Sequence, residues 1–298
     1  MTISGIFLVC IIFIHAGILC GAEDPGPDSM RDLARLKQDS NPARLEALKQ
    51  ILRERGISCE LQTFQSLESP HGRTEGTNLV VTFGQGSREI TACAHYDAVE
   101  LKQDRISDGM VDNGAGVITL VRVSEALKNR QLRHRVRIVF FDMEEVGLIG
   151  SKAYVAAHKS RIAAAINVDI VGFGDTGIYG LGKASGTDLV HKALLMSCAD
   201  HLVTCMDSGN YPFGDDRSFR SADIPVVGIG FVPRLEAHQA WLILNGGENS
   251  GLKKDFLPEI FKIIHTPQDT IDKIDPATVD RCFQIVLNTI LRLDATLQ

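Results

Sequence analysis

Two adjacent glutamates, Glu144 and Glu145, follow the apolar segment 136–141 and precede a glycine-containing turn. Burying two neighbouring carboxylates is costly unless a cation compensates their charge. A solvated acidic pair on a surface loop is the alternative, but the only polar residue in the preceding segment is Arg137. The pattern indicates that Glu145 binds a metal ion, while Glu144 stays free as a general base facing a metal-bound water.

Other apolar segments also end in residues that can bind metals. The segment ITACA at 90–94 leads into His95 and Asp97. A metal-ligating histidine often donates its second ring N–H to a carboxylate, so His95 is a candidate ligand and Asp97 would fix its tautomer. The alternative is a strand-end histidine bonded to backbone. Asp169 lies within the apolar sequence AINVDIV with no Lys or Arg nearby, so a metal ion is its expected partner.

Two further candidates stand at turns. Asp112 begins the sequence DNGAG at the start of a predicted helix; it could be a simple N-cap, or its carboxylate could bridge two cations. His265 ends another apolar run and precedes a proline-containing turn, with Asp269 as a possible orienting residue. The alternative for His265 is an ordinary loop histidine.

Together these residues form a set of nitrogen and oxygen ligands without a thiolate, which suits a pair of zinc-like ions. Two neighbouring ions are best held by one carboxylate between them, and Asp112 is the residue predicted to bridge. Residue types alone do not distinguish zinc from cobalt or manganese. The predicted ligands are His95, Asp112, Glu145, Asp169 and His265.

Strands must bring these residues to one place. Strand and helix patterns alternate along most of the chain, which predicts one α/β domain with a central, largely parallel sheet. Ligand-binding residues of such sheets gather at the carboxyl ends of the strands. The predicted strands are 57–64, 78–83, 89–94, 136–141, 164–171 and 225–231, and the predicted helices are 28–37, 42–55, 111–127, 149–158, 187–201 and 276–293.

Composition excludes several classes of protein. The chain has 298 residues and a net charge of -6, which argues against a nucleic-acid partner, and no basic cluster suggests a membrane surface. Residues 1–22 contain no Asp, Glu, Lys or Arg and include an apolar stretch of signal-peptide length, which predicts cleavage before Glu23 and a secreted or periplasmic protein. A buried N-terminal helix or an uncleaved anchor is the alternative. Cys198 and Cys205 are close enough in sequence for a local disulfide.

The order of the motifs resembles that of the M28 family of zinc-dependent peptidases. The blocks that carry this resemblance are AHYD (94–97), DN (112–113), EEVGLIGS (144–151), NVDIVG (167–172) and HTPQDT (265–270). The resemblance implies a three-layer α/β/α sandwich with a mixed, mostly parallel sheet, formed by residues 23–298 as a single domain. It also implies two zinc ions, one on His95, Asp112 and Asp169 and the other on Asp112, Glu145 and His265. Glu144 matches the general base and Asp97 the residue behind the first histidine.

Two segments depart from this family pattern. The sequence GDDRSFRSADIP at 214–225 lacks the usual histidine after its first aspartate. A long insertion at 236–256 contains Trp241, the single tryptophan, and could either cap the site or pack as a helix. The substrate pocket is therefore the part that the resemblance defines least.

The motifs predict an exported zinc exopeptidase acting on a peptide or small amide, most simply an aminopeptidase. A metal-bridging water would attack the scissile carbonyl, and Glu144 would transfer its proton to the leaving amine. The alternatives are a glutaminyl-cyclase-like acyltransferase with one zinc, a carboxypeptidase or dipeptidase, and a binding domain that has lost catalysis. The complete set of ligands argues against the last of these.

Overall fold

The computed structural model describes residues 27–66, 73–102 and 105–298. The predicted signal peptide at residues 1–22 and its cleavage site before Glu23 lie outside these ranges. None of the helices described is both long enough and apolar enough to cross a bilayer.

A mixed eight-stranded sheet occupies the centre, and a separate two-stranded ribbon pairs β4 with β5. The strands are β1 Glu60–Gln65, β2 Glu75–Phe83, β3 Glu89–His95, β4 Glu100–Leu101, β5 Arg105–Ile106, β6 Arg135–Phe141, β7 Ile162–Val168, β8 Thr176–Leu181, β9 Cys205–Asp207 and β10 Val226–Val232. In the main sheet they are ordered β1-β2-β6-β3-β7-β10-β8-β9. The four central strands β6, β3, β7 and β10 are parallel to one another, while β2 and β8 run antiparallel to their inner neighbours.

The central strands are mostly apolar, as expected when helices cover both faces of a sheet. Every residue of β3, β7 and β10 is buried. Their register aligns the carboxyl ends, because His95 pairs with Phe141 across β3 and β6, and Cys93 pairs with Asn167 across β3 and β7. The residues that follow β3, β6 and β7 therefore meet at one edge of the sheet.

Helices cover both faces of this sheet. Their bounds are α1 Pro27–Arg35, α2 Asn41–Glu54, α3 Ala115–Leu127, α4 Ile149–His158, α5 Thr187–Asp200, α6 Asp216–Ser221, α7 Arg234–Gly246, α8 Ile260–Ile263 and α9 Pro276–Thr296. Helices α3, α5 and α9 pack on one face together with α1 and α2, and α4 and α6 pack on the other. A second apolar cluster around Phe141, Tyr154 and Phe219 fills the α4–α6 side. These two cores define three layers, so the predicted α/β/α sandwich is confirmed.

The sequence-based prediction missed β4, β5, β8, β9, α6 and α8. Cys198 at the end of α5 and Cys205 at the start of β9 form a disulfide, the pairing that their proximity in sequence allowed. Helix α3 begins at Ala115 rather than near Val111, because Asp112 and Asn113 have non-helical backbone angles.

Candidate metal centre

The first group of candidate ligands is buried at the ends of β3 and β7. His95 Nε2 lies 3.0 Å from Asp112 Oδ1 and 3.4 Å from Asp169 Oδ1. His95 is the last residue of β3, Asp169 directly follows β7, and Asp112 lies in the distorted turn Met110–Gly114 before α3. One potential ligand atom from each of the three residues lies within 4.8 Å of the others.

The second group shares Asp112. His265 Nε2 lies 3.1 Å from Asp112 Oδ2 and 3.2 Å from Glu145 Oε2. Asp112 therefore directs one carboxylate oxygen at each group. The structure brings together all five residues that the sequence singled out as ligands, from five separate segments.

The donor atoms fit divalent cations. Glu145 Oε1 is buried and has no hydrogen-bond partner among the described residues, and Asp169 Oδ1 has only the 3.4 Å ion-pair contact with His95 Nε2. An ionised carboxylate can only accept, so an orphaned buried oxygen is satisfied best by a cation. Imidazole nitrogen and carboxylate oxygen are both zinc ligands, and each group offers three protein ligands, the number typical of catalytic zinc sites.

The pKa values of these groups reflect the concentration of charge. Hydrogen bonds to Asp112 and Glu145 raise the pKa of His265 to about 11. Burial raises the pKa of Glu145 to about 7, with the Asp112 charge acting in the same direction. Burial also acts to raise the pKa of Asp112, but His265 and His95 hold it below its usual range. Bound divalent cations would replace the imidazole protons at these atoms.

The turn that carries Asp112 is held by Asp269. Its carboxylate accepts from the backbone N–H groups of Met110, Val111 and Asp112 at 2.9, 2.6 and 3.0 Å. Asp269 was expected to orient His265, but the structure places it behind Asp112 instead. Asn113 fixes the other side of the turn by donating to the Val168 carbonyl at 2.8 Å, next to Asp169.

Asp97 acts on the two glutamates as well as on His95. Its two carboxylate oxygens accept from the backbone N–H groups of Glu144 and Glu145 at 3.1 and 3.2 Å. His95 Nδ1 lies 3.1 Å from the backbone carbonyl of Asp97 and 3.6 Å from its carboxylate. The backbone carbonyl therefore accepts from the ring, which leaves Nε2 free for a metal, while the carboxylate anchors the acidic pair.

Glu144 belongs to neither ligand group and borders a cavity of about 610 Å³. Burial raises the pKa of the Glu144 carboxyl well above its usual range. Asp112, Glu145, Asp169 and His265 line the polar end of the cavity. Its remaining wall is mostly apolar and includes Ile178, Tyr211, Phe213, Val232, Ala240, Leu244, Ile260, Phe261 and Ile264.

Comparison with known proteins assigns the family. The family model described as Peptidase family M28 matches residues 78–290. This chain belongs to peptidase family M28. It is 26% identical over 265 residues to "Leupeptin-inactivating enzyme 1" of Streptomyces exfoliatus, covering 85% of this chain and 55% of the relative. It is 25% identical over 233 residues to a "Probable leucine aminopeptidase" of Arthroderma otae, covering 74% and 58%. The chain thus spans little more than half the length of these curated relatives.

Solved structures share the fold of this M28 chain. The LapA aminopeptidase of Legionella pneumophila superposes with a TM-score of 0.68 at 16% identity, covering 93% of this chain and 74% of the other. A glutaminyl cyclase of Porphyromonas gingivalis also gives 0.68, at 18% identity, covering 91% and 97%. At these identities the similarity concerns the fold, which therefore does not separate the two activities.

In the M28 chain the insertion at 236–256 contributes to the cavity wall. It forms most of α7, of which Ala240 is buried and lines the cavity. Trp241, its neighbour on the helix, is 42% exposed and is not part of the lining. The segment therefore packs as a helix, one of the two expectations for it, and one face of this helix lines the cavity.

Tyr211 is a cavity residue that sequence reasoning missed. Its ring lies against Gly180 and Gly228, which face each other in the β8–β10 pair. A Cβ at Gly180 would come within 2.2 Å of Tyr211 Cβ, and a Cβ at Gly228 within 2.6 Å of a Tyr211 ring atom, so no larger residue fits at either position. The paired glycines were visible in the sequence, but their pairing required β8 to be recognised as a strand.

A buried acidic pair also escaped prediction. Asp215 is 1% exposed, and burial raises the pKa of its carboxyl to about 8. Asp216, which follows it where the family usually has histidine, forms an ion pair with Arg220. Gly214 lies between this pair and Asp169, since a Cβ there would be 3.1 Å from Asp169 Oδ2. The segment therefore packs directly against the first ligand group.

Proposed function

We propose that this chain is an aminopeptidase that uses two zinc ions and releases residues with large apolar side chains from the N-termini of peptides. One observation carries the proposal: two ligand groups share Asp112, and the free carboxyl group of Glu144 stands beside them at one end of an apolar cavity. The relatives described above, which include a probable leucine aminopeptidase, support the same activity.

The residues of the two groups would hold the ions. His95, Asp112 and Asp169 would bind one zinc, and Asp112, Glu145 and His265 the other. When bound, zinc supplies Lewis acidity toward a carbonyl oxygen and toward water. Asp97 and Asp269 hold the backbone of the ligand segments, so the ligand atoms are placed before any ion binds.

Glu144 performs the proton transfers. Its carboxylate accepts a proton from the attacking water as the new C–O bond forms, and returns it to the amine nitrogen as the C–N bond breaks. Burial disfavours the charged carboxylate, which strengthens Glu144 as a base. The bond from the Glu144 N–H to Asp97 fixes the backbone from which this side chain extends.

The cavity defines the substrate. Its volume of about 610 Å³ lies within the usual range of small-molecule pockets, and its wall is apolar beyond the ligand groups. A large aliphatic or aromatic side chain would gain free energy by burial there. The positively charged amino terminus of a peptide would be attracted to the carboxylates at the polar end.

Metal analysis combined with a substrate screen tests the proposal. We expect two zinc ions per chain and rapid release of nitroaniline from leucyl- or phenylalanyl-nitroanilide. The N-acetylated forms of the same substrates should not react, because they lack the free amino group. One zinc with cyclisation of N-terminal glutamine would establish the cyclase alternative, and release from peptide C-termini would establish a carboxypeptidase.

The variant Glu144→Gln isolates the chemical step. We expect kcat to fall by about 10²–10⁴-fold, because the amide cannot accept a proton from water. Zinc content should equal that of the unaltered protein, since Glu144 is in neither ligand group. A variant that kept most of its activity would show that another residue is the base.

We also propose that the protein is exported to an oxidising compartment. The Cys198–Cys205 disulfide supports this, because such bonds persist mainly outside the cytosol. Expression of the full-length chain with N-terminal sequencing of the product tests it. A mature protein that begins at Glu23 is expected, and an unprocessed protein retained in the cell would contradict the proposal.

A further inference from the structure

The helices α1 and α2 lie outside residues 78–290 of the family match, yet α2 sends one side chain to the segments that carry the metal centre. Arg44 is 0% exposed, although it carries a guanidinium group. It forms no hydrogen bond with a carboxylate in the part of the chain that the structure describes. Its N–H groups donate instead to four backbone carbonyl oxygens.

These carbonyls belong to the segments of two predicted metal ligands. Nε donates to the Tyr96 carbonyl at 2.7 Å, between His95 and Asp97 in sequence. Nη1 donates to the Asp108 carbonyl at 2.6 Å, and Nη2 donates to the Gly109 carbonyl at 3.2 Å, shortly before the turn that carries Asp112. Nη1 also donates to Leu36 at 3.0 Å, which ties the guanidinium to the end of α1.

Asn41 strengthens the same connection. Its amide donates to the Ala98 carbonyl at 3.0 Å and accepts from the Ala98 N–H at 2.9 Å. Gly109 fits closely between the two segments at a φ of +58°, where a Cβ would lie 2.9 Å from Ala98 Cβ and 3.3 Å from Arg44 Nη2. The two ligand-bearing segments therefore touch each other, with α2 holding both.

The charge of Arg44 also suits this position. A guanidinium remains protonated at any pH a protein tolerates, so it is a permanent positive charge in the interior. Burial lowers the pKa of Arg44 from its usual value, and the charges of four nearby carboxylates oppose that change. These carboxylates are Asp97, Asp269, Glu145 and Asp112. The buried guanidinium of Arg44 and these four carboxylates thus stabilise each other.

We propose that Arg44 is a positioning residue for the metal centre: its planar guanidinium holds the segment of His95 at a fixed distance from the segment of Asp112. The inference rests on the proposed function insofar as these residues bind zinc. Lysine cannot replace Arg44, because a single ammonium nitrogen cannot reach carbonyl oxygens that are bound by different nitrogens of the guanidinium.

The test compares Arg44→Lys with Arg137→Lys. Arg137 is a second buried arginine, near the opposite end of the sheet, where it pairs with Glu89 at 3.3 Å. Both substitutions keep the charge and remove a buried guanidinium. Zinc affinity is measured by competition with a chelator, and hydrogen exchange at residues 108–112 is measured on the metal-free proteins.

We expect Arg44→Lys to weaken zinc binding by roughly tenfold or more, in the range seen when residues that orient metal ligands are replaced. Amide exchange at residues 108–112 should accelerate in the same variant. Arg137→Lys should lower the melting temperature but leave both zinc affinity and this exchange close to those of the unaltered protein. Asn41→Ala should weaken zinc binding in the same direction by a smaller factor, and it serves if Arg44→Lys does not fold.

Unchanged zinc affinity in Arg44→Lys, or an equal loss in both lysine variants, would overturn the inference, because either result assigns Arg44 a purely structural role. If Arg44→Lys does not fold, unchanged affinity in Asn41→Ala has the same meaning. If the unaltered protein binds no zinc, the proposed function fails. The exchange rates at residues 108–112 then still decide whether Arg44 holds this segment.

Discussion

The carboxylate of Asp97 offers the sharpest test of how the site is built. The substitution Asp97→Asn keeps the volume of the side chain but leaves one acceptor oxygen where two accept from Glu144 and Glu145. In either orientation of the amide, one glutamate N–H faces an NH₂ group. The backbone carbonyl of Asp97, which accepts from the His95 ring, is unchanged by the substitution. The substitution should therefore weaken zinc binding at the group that contains Glu145 more than at the group that contains His95.

The size of the effect follows from these contacts. Losing one hydrogen bond to a charged group and leaving its donor unsatisfied costs about 2–3 kcal/mol. For a chain of this size that free energy corresponds to a fall in melting temperature of roughly 4–12 °C. Zinc affinity at the group containing Glu145 should fall by about 10–100-fold, as expected when the support of a ligand is removed.

A double-mutant cycle shows which of the two ligand groups loses zinc affinity. The variant His265→Ala retains only the group formed by His95, Asp112 and Asp169. Adding Asp97→Asn to this background should change the affinity of the remaining site by no more than about threefold, because that site depends on the Asp97 backbone carbonyl. Zinc affinity is followed by chelator competition and stability by thermal unfolding with and without zinc.

The matched control is Asp142→Asn. Asp142 is a buried carboxylate directly after β6 that binds Arg73 and the Thr77 N–H instead of the glutamates. It should lower stability without lowering zinc affinity. If Asp97→Asn weakened the site in the His265→Ala background as much as in the parent, the carboxylate would act through His95, and the assignment made from the hydrogen bonds would be wrong.

Three further predictions address the cavity, the disulfide and the metal. Ala240→Phe should fill part of the cavity and lower kcat/KM for leucyl relative to alanyl substrates by about 10–200-fold, whereas Trp241→Ala, on the outer face of the same helix, should leave the ratio unchanged. The double substitution Cys198→Ser/Cys205→Ser should lower the free energy of unfolding by about 2–3 kcal/mol in a denaturant titration, with zinc content unchanged. Removing zinc with a chelator should lower the melting temperature, because zinc at about 1,000 times its dissociation constant contributes about 4 kcal/mol per site.

The parts of the fold that could be predicted are those specified by local sequence. Helix α4 was predicted with the bounds it has, and the buried strands β3, β6 and β7 were recognised because their sequences are mostly apolar. The parallel arrangement then placed His95 and Asp169 at the same sheet edge, so the ligands followed from a rule about strand ends. Strand β8, with the sequence TGIYGL, was missed because its glycines weaken the strand pattern.

The roles of supporting residues could not be predicted, because their partners are distant in sequence. Asp269 binds backbone N–H groups 157 to 159 residues away, and Arg44 binds carbonyls up to 65 residues away. Backbone groups carry no side-chain signature, so no residue pattern shows that a carboxylate or guanidinium will meet them. For the same reason the sequence predicted only that Asp97 orients His95, its neighbour in sequence, and not that its carboxylate binds the backbone of Glu144 and Glu145.

Backbone strain marks the site independently of its residue types. Among the described residues, six other than glycine have positive φ, and four of these border the metal centre: Met143, Leu148, Ile170 and His265. For a β-branched residue such as Ile170, at φ 62°, this conformation is a genuine outlier that costs of order 1 kcal/mol or more. It persists because its neighbours hold it: the Asp169 N–H donates to Ile229 at 3.0 Å, and the Ile170 carbonyl accepts from Phe231 at 2.8 Å. Strand β10 thus forces the turn that directs Asp169 toward His95. Four of the six strained positions thus lie around the candidate ligands, as expected where a fold fixes side-chain geometry at the expense of local backbone energy.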